Sequence, residues 1–438
     1  MLSRSLAAGA VILAAACTAS SEDVRPPEGE LFFPTGLAVS PDEGVLFVLS
    51  ANSDLRYDSG TISVVDVETV DRVVTAYKTT GEIDPACTAD QESPGTIECD
   101  EAAFMVGGAG VRIGNFSSTL AVQDKGGNDL RVLVPVRGDP SVTWAEWDGA
   151  ARELSCGGGQ GFELCDDDHR LTRMRGDVDL PEVAEEPFAI YVDSVAQFAM
   201  ITHLSSGTVT LVDSPAAGVP VLADAVAGLF GGSGSARGAT GVAGRQAGDR
   251  NIVYVQSRTE DRIQMLSVAR ASGSLPFLVP SSYFFLNGVG GAGGTSSDSR
   301  GVAFGTNGER AYMINRFPPS LQIYDTTLDV TGVPRNRLSG ASDLCREASG
   351  LVVADGGIGE RAFVSCFLSG EVYVIDPQGT SRVEAVASVG RAPFGLAAAE
   401  SRQLLFVSTF LEDSVAVIDL DPSSSTFYRV VMRIGVRS

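Results

Sequence analysis

The sequence predicts an all-β fold, a seven-bladed β-propeller of four-stranded antiparallel blades, over residues 31–438. A recurring unit is the first reason. RAPFGLAAAESRQLLFVSTFLEDSVAVIDL, from Arg391 to Leu420, is echoed by FPTGLAVSPDEGVLFVLSAN, from Phe33 to Asn52, followed by GTISVVDV, from Gly60 to Val67. Each copy reads as a turn with Pro and Gly, a short apolar strand, a polar turn, two further strands and a closing Asp, the period of a propeller blade. The second reason is the composition of the strands: runs such as VYVID and VAVID are nearly continuously apolar, as expected where both faces of a sheet are covered by neighbours. The third is bulk. A chain of 438 residues with 44% hydrophobic and 20% charged residues is globular, and one propeller can absorb nearly all of it.

Aligning the second strands counts the blades in order. Blade one contains LFVLS from Leu46, and blade two spans Leu130 to Asp148. Blade three runs from Glu186 to Asp213, and blade four, the most degenerate, from Asn251 to Val268. Blades five, six and seven begin at Gly301, Ser349 and Arg391. An Asp closes the third strand at Asp66, Asp213, Asp325, Asp376 and Asp419, where it is expected to hold the backbone of the following turn. Its repetition argues against catalysis, which needs one special site. Ala225 to Gly248 and Asn287 to Gly294 are rich in Gly, Ala and Ser and read as flexible loops. Neither GxGxxG nor GxxxxGK occurs, so they are not phosphate cradles.

The N-terminus carries Arg4, an apolar run from Leu6 to Ala16, Cys17 and a polar stretch to Glu30. The run falls short of the roughly 20 apolar residues of a membrane span and reads as an export signal peptide. Leu13 to Cys17 resembles a bacterial lipobox, in which the cysteine thiol takes the lipid. That resemblance implies a signal peptide over 1–16, lipidation at Cys17 and a flexible tether over 17–30. It places the lipoprotein in the cell envelope, by default at the outer membrane, with the periplasm or secretion as alternatives.

Six further cysteines, an even count in an exported chain, read as disulfides. Nearness in sequence suggests Cys87 with Cys99 and Cys156 with Cys165. Cys345 precedes the first strand of blade six and Cys366 ends the next, and antiparallel neighbours bring a start and an end together. The formal charge of −23 excludes nucleic acid as a partner. No cofactor is expected beyond weak Ca²⁺ at loop carboxylates, since no DxDxDG loop occurs.

Only two histidines exist, which restricts catalytic readings. His203 ends a second strand and reads as rim structure. His169 lies among Asp166, Asp167 and Asp168, whose consecutive side chains diverge too much to bind one metal ion. No GxSxG elbow is present. Arg137-Gly138-Asp139 reads as a tight turn, and Trp144 and Trp147 as packing neighbours on one face of a strand. Arg131, Arg137, Trp144 and Trp147 nevertheless concentrate hot-spot residue types in blade two, which makes them the candidate recognition surface.

The repeat, strongest in blades one, six and seven, resembles the YVTN family of seven-bladed propellers. The likeness implies the fold and an exported habitat. The leading functional expectation is a non-catalytic, membrane-anchored binding or scaffold module for an envelope protein, peptide or glycan. The alternatives are a lactonase-like or metal-dependent hydrolase with its site at the central channel, and a surface-layer or adhesive structural protein. An enzyme is expected to point at least three non-repeated polar residues into one pocket, with a shifted pKa among them.

Overall fold

The computed structural model describes residues 24–157, 161–172, 182–230, 238–247, 250–287, 298–378 and 381–436. Among them seven antiparallel sheets follow one another in chain order, and the first strands of successive blades touch all the way round a common axis. Five sheets are four-stranded; blade two gains a short fifth strand, Arg170–Leu171, and blade seven gains two. Apolar clusters fill the spaces between adjacent blades, as the near-continuous hydrophobic strands require.

The Gly of each repeat has a different role from the one expected. In five blades Gly36, Gly241, Gly301, Gly350 and Gly395 lie within the first strand, next to a register shift, rather than in a turn before it. They are there because neighbouring blades converge on the axis. A Cβ at Gly395 would stand 2.1 Å from the Thr35 carbonyl, and one at Gly350 2.2 Å from the Phe394 carbonyl. The same crowding corrects the loop expected over 225–248. Ala239–Ala247, ATGVAGRQA, is the innermost strand of blade four, and its small residues suit the axis. Residues 231–237, 248 and 288–294 of the two expected loops lie outside the described residues.

A second periodic device is hidden in the hydroxyls. Thr35 Oγ1 donates to the Ser117 carbonyl (3.1 Å), Thr119 to Phe188 (2.8 Å), Thr202 to Thr240 (2.6 Å) and Thr240 to Ser299 (2.5 Å). Arg316 Nε donates to Ala348 (2.8 Å), Ser365 to Phe394 (2.8 Å) and Ser408 to Thr35 (2.7 Å), which closes the circle. Every blade thus satisfies a carbonyl of the next, in six of the seven at the point where the first strand bulges and in blade two just before it.

The ring is closed by blade one reaching back over blade seven. Between its third and fourth strands, Gly60–Asp66 and Val111–Ile113, blade one inserts a helix, Val67–Thr80, and a hairpin, Cys87–Ala89 with Ile97–Cys99. The hairpin pairs in parallel with the last strand, Val430–Ile434, at Met432↔Ile97. The helix sends Lys78 Nζ to Asp419 Oδ1 (2.7 Å), and Asp71 receives Arg402 (3.1 Å). At the hairpin, Arg433 lies between two buried carboxylates, Asp90 (3.6 Å) and Glu412 (3.8 Å). Leu31 and Phe32, which lead into the first strand, form no strand themselves and are buried. Residues 24–30 of the expected tether lie against the body, where Val24 accepts from Asp58 N–H (2.8 Å).

All three disulfides form with the pairing read from the sequence: Cys87–Cys99, Cys156–Cys165 and Cys345–Cys366. The first staples the closing hairpin. Of the five repeated aspartates, Asp66, Asp325, Asp376 and Asp419 accept from a backbone N–H two or three residues ahead. Asp213 departs from the pattern and pairs with Arg270 of blade four (2.6 Å).

Candidate functional site

Because each first strand starts where its second strand ends, one end of the channel is a mouth ringed by seven equivalent entry residues. Register places Phe33, Phe116, Glu186, Gly238, Asp298, Glu347 and Ala392 there in blade order. In six blades the entry carbonyl accepts from the residue at or just past the end of the second strand, as at Phe33/Ala51, Asp298/Arg316 and Glu347/Phe367. Five of the seven, Phe33, Phe116, Glu186, Glu347 and Ala392, have φ between 47° and 62°. Non-glycine residues resist that region at a cost of about 1–3 kcal/mol each, and the surrounding ring holds them there.

Below the mouth, the cavity of about 230 Å³ is walled by small and apolar residues. Phe188 and Phe394 stand near the top; Leu37, Ile190, Val242, Leu351 and Leu396 follow. The polar atoms of this wall largely serve the circle of blade-to-blade hydrogen bonds. Among the described residues one charged residue, Arg300, is part of the lining.

Arg300 belongs to a quartet that breaks the sevenfold repetition. Its Nε lies 2.6 Å from Asp298 Oδ1, off the hydrogen-bonding line, and Nη2 donates to Asp298 Oδ2 (3.1 Å). Arg316 Nη1 approaches Glu347 Oε2 (2.6 Å) and Asp298 Oδ2 (3.6 Å). Burial, helped by the charge of Arg300, pulls the Arg316 guanidinium below its ordinary value. Across the mouth Arg137 Nη2 meets Glu186 Oε1 (3.2 Å). Three entry carboxylates and three guanidinium groups therefore border the opening, with aromatic Phe33 and Phe116 opposite. Guanidinium donors can bind a carboxylate or a developing oxyanion, and a carboxylate can take a proton from water. Among the described residues no three His, Cys, Asp or Glu side chains stand close enough to hold a metal ion.

The blade-two candidates lie elsewhere. Arg131 is 1% exposed, and Trp144 and Trp147 are each 5% exposed, so they present no surface. Arg131 bolts blade two to blade three: it holds Glu146 (2.7 and 2.9 Å), Ser214 Oγ (2.9 Å) and the carbonyls of Pro215 (3.0 Å) and Gly218 (2.6 Å). The two tryptophans are three residues apart, so they point to opposite faces of their strand rather than one. Trp147 packs toward blade one and Trp144 toward blade three. Arg137 alone reaches the mouth.

His203 is fully buried, with Nε2 2.9 Å from Thr210 Oγ1. Burial pushes its pKa down to about 4, so it remains neutral near pH 7, as structure rather than as the general base. His169 packs against Trp144 with the rings tilted by 37° and 4.0 Å between centroids, and Nδ1 meets Asp166 (2.7 Å). Asp139 of the Arg-Gly-Asp tripeptide pairs with Arg170. Cys17 lies outside the described residues. Sequence reasoning missed Asp298, Arg300, Arg316 and Glu347; the available signal was that the entry position varies in charge while its neighbours repeat.

No known family profile matches the chain, and no curated protein sequence does either. Solved structures with the same fold are numerous. A Bacteroides fragilis protein provisionally described as a 6-phosphogluconolactonase superposes with a TM-score of 0.57 at 14% identity, covering 94% of this chain and 97% of its own. The periplasmic gluconolactonase of Pseudomonas aeruginosa gives 0.54 at 14%, over 82% and 86%. The hydrazine synthase of Kuenenia stuttgartiensis gives 0.54 at 12%, over 90% and 97%. At these identities the likeness establishes the seven-bladed fold. Lactonases stand among these structures, which counts against the leading expectation of a non-catalytic scaffold, and that expectation is not carried forward. Four non-repeated polar residues meet one another at the mouth, and of these Arg300 lines the cavity.

Proposed function

We propose that the chain is an exported hydrolase of small cyclic esters, lactones, acting at the channel mouth between blades five and six. The supporting observation is the cluster of Asp298, Arg300, Arg316 and Glu347 at the channel mouth, with Arg300 also lining the cavity below it. In this reading Glu347 takes a proton from water as the water oxygen attacks the lactone carbonyl carbon. Arg300, which faces the cavity, stabilises the oxyanion. The ring C–O bond then breaks, the leaving alkoxide recovers the proton from Glu347, and a hydroxy acid departs. Arg316 acts as a positioning residue that holds Glu347 and Asp298.

The test is proton release from glucono-δ-lactone and δ-valerolactone, followed at constant pH with the purified ectodomain. Hydrolysis at least about a hundredfold above the spontaneous rate is expected, a threshold set far below the roughly 10⁶-fold at which typical enzymatic accelerations begin. A rate indistinguishable from buffer for both lactones would sink the proposal.

The habitat belongs to the same reading. Removal of residues 1–16 and acylation of Cys17 are supported by the apolar run and small residues before the cysteine, and the YVTN-like repeat is consistent with an exported protein. In cells fed a palmitate analogue, Cys17→Ala is expected to lose the label and release the protein from membranes. Undiminished membrane retention of the variant would refute acylation.

A further inference from the structure

We infer that the substrate is amphipathic: a lactone carrying an apolar tail, with the tail laid in a groove between blades six and seven. This rests on the proposed site and specifies its substrate class. The groove, about 440 Å³, is lined by Phe367, Leu368, Gly370, Arg391, Ala392 and Leu411 among others. It reaches the size range of small-molecule clefts, roughly 300–1,000 Å³, which the 230 Å³ channel cavity does not. Leu368 is 69% exposed and Leu411 45%, and both lie on turns between second and third strands, at the mouth end.

Continuity with the site is the decisive point. Ala392, in the groove wall, is the blade-seven entry residue, and Phe367 in the same wall donates its N–H to the Glu347 carbonyl (3.2 Å). The small side chain at position 392 leaves the ring low where mouth and groove meet. Aromatic contacts extend the apolar strip, from Phe367 to Phe410 (6.3 Å) and on to Phe33 (5.2 Å), with Arg56 over Phe33. A compact polyhydroxylated ring would meet few polar side chains on the channel wall, where Thr119 donates to Phe188 and Ser349 to Glu347 and most other side chains are apolar or absent. A molecule with a polar carbonyl head and a hydrocarbon tail matches both halves: guanidinium groups at the mouth, apolar side chains beside it.

The test compares δ-decalactone with δ-valerolactone, which share a ring and differ in the tail. Wild type is expected to prefer the tailed lactone in kcat/KM by at least about tenfold, a ratio modest for several buried methylenes. Leu368→Glu/Leu411→Glu, at exposed positions, is expected to bring the ratio close to one. A wild-type ratio near one with both lactones hydrolysed overturns the tail site and leaves the proposed function standing. If neither lactone is hydrolysed the proposed function falls, and calorimetric titration with decanoate decides the groove: binding abolished in the double variant supports the inference, and no binding to wild type overturns it. A wild-type dimer in sedimentation that the double variant splits would assign the groove to a second copy and likewise overturn it.

Discussion

Arg433→Met is expected to destabilise the propeller by about 3–5 kcal/mol, the usual consequence of taking one partner from a buried ion cluster. Arg433 is 2% exposed, and its guanidinium lies beside Asp90 and Glu412, 8% and 6% exposed. The substitution leaves those carboxylates in a low-dielectric interior without that cation. The location amplifies the effect: Asp90 belongs to the hairpin of blade one, Glu412 and Arg433 to blade seven, so the cluster sits on the seam that closes the ring. The urea midpoint should fall accordingly. Removing the charges as well, in Arg433→Met/Asp90→Asn/Glu412→Gln, should recover much of the loss, because replacing a buried ionic set costs less than breaking it. A shift below about 1 kcal/mol for the single variant would mean that the disulfide-stapled hairpin and its parallel pairing suffice to hold the seam.

Arg300→Met is expected to lower kcat for lactone hydrolysis by about 10²–10³, the cost of losing one oxyanion donor. The side chain is nearly isosteric in its aliphatic part, and Arg300 makes no contact in the blade-to-blade circle, so the thermal midpoint should change little. Glu347→Gln, which keeps shape but cannot accept the proton, should lose about 10²–10⁴. A merely structural role for Arg300 would show as a lowered midpoint with kcat intact, and would remove it from the reaction. Arg316 offers a less clean test, since it also donates to the Ala348 carbonyl.

The blades, the aspartates and the cysteine pairs were legible because each depends on residues close in sequence or on adjacent strands. VAVID and VYVID declare a strand covered on both faces wherever they occur. Cys345 and Cys366 were predictable because one precedes a first strand and the other ends its antiparallel neighbour. The blade-two surface failed for an equally local reason. Arg131 and the two tryptophans were chosen by residue type, and residue type does not tell an interface between blades from one with another molecule. Both bury Arg and Trp.

The mouth lay beyond such reading. Glu186, Asp298 and Glu347 are separated by 112 and 49 positions and share a rim only because seven first strands start at one end of one axis. The same holds for the closing seam, where Asp90 meets Arg433 from the opposite end of the chain. By itself, then, the sequence determined the repeating sheet, its count and its staples, since a period-two apolar pattern and short-range pairing are local properties of the backbone. Which charged side chains face one another, and how the circle is shut, was decided by the tertiary structure alone, because closing a ring brings distant residues together through geometry that no neighbouring residue encodes.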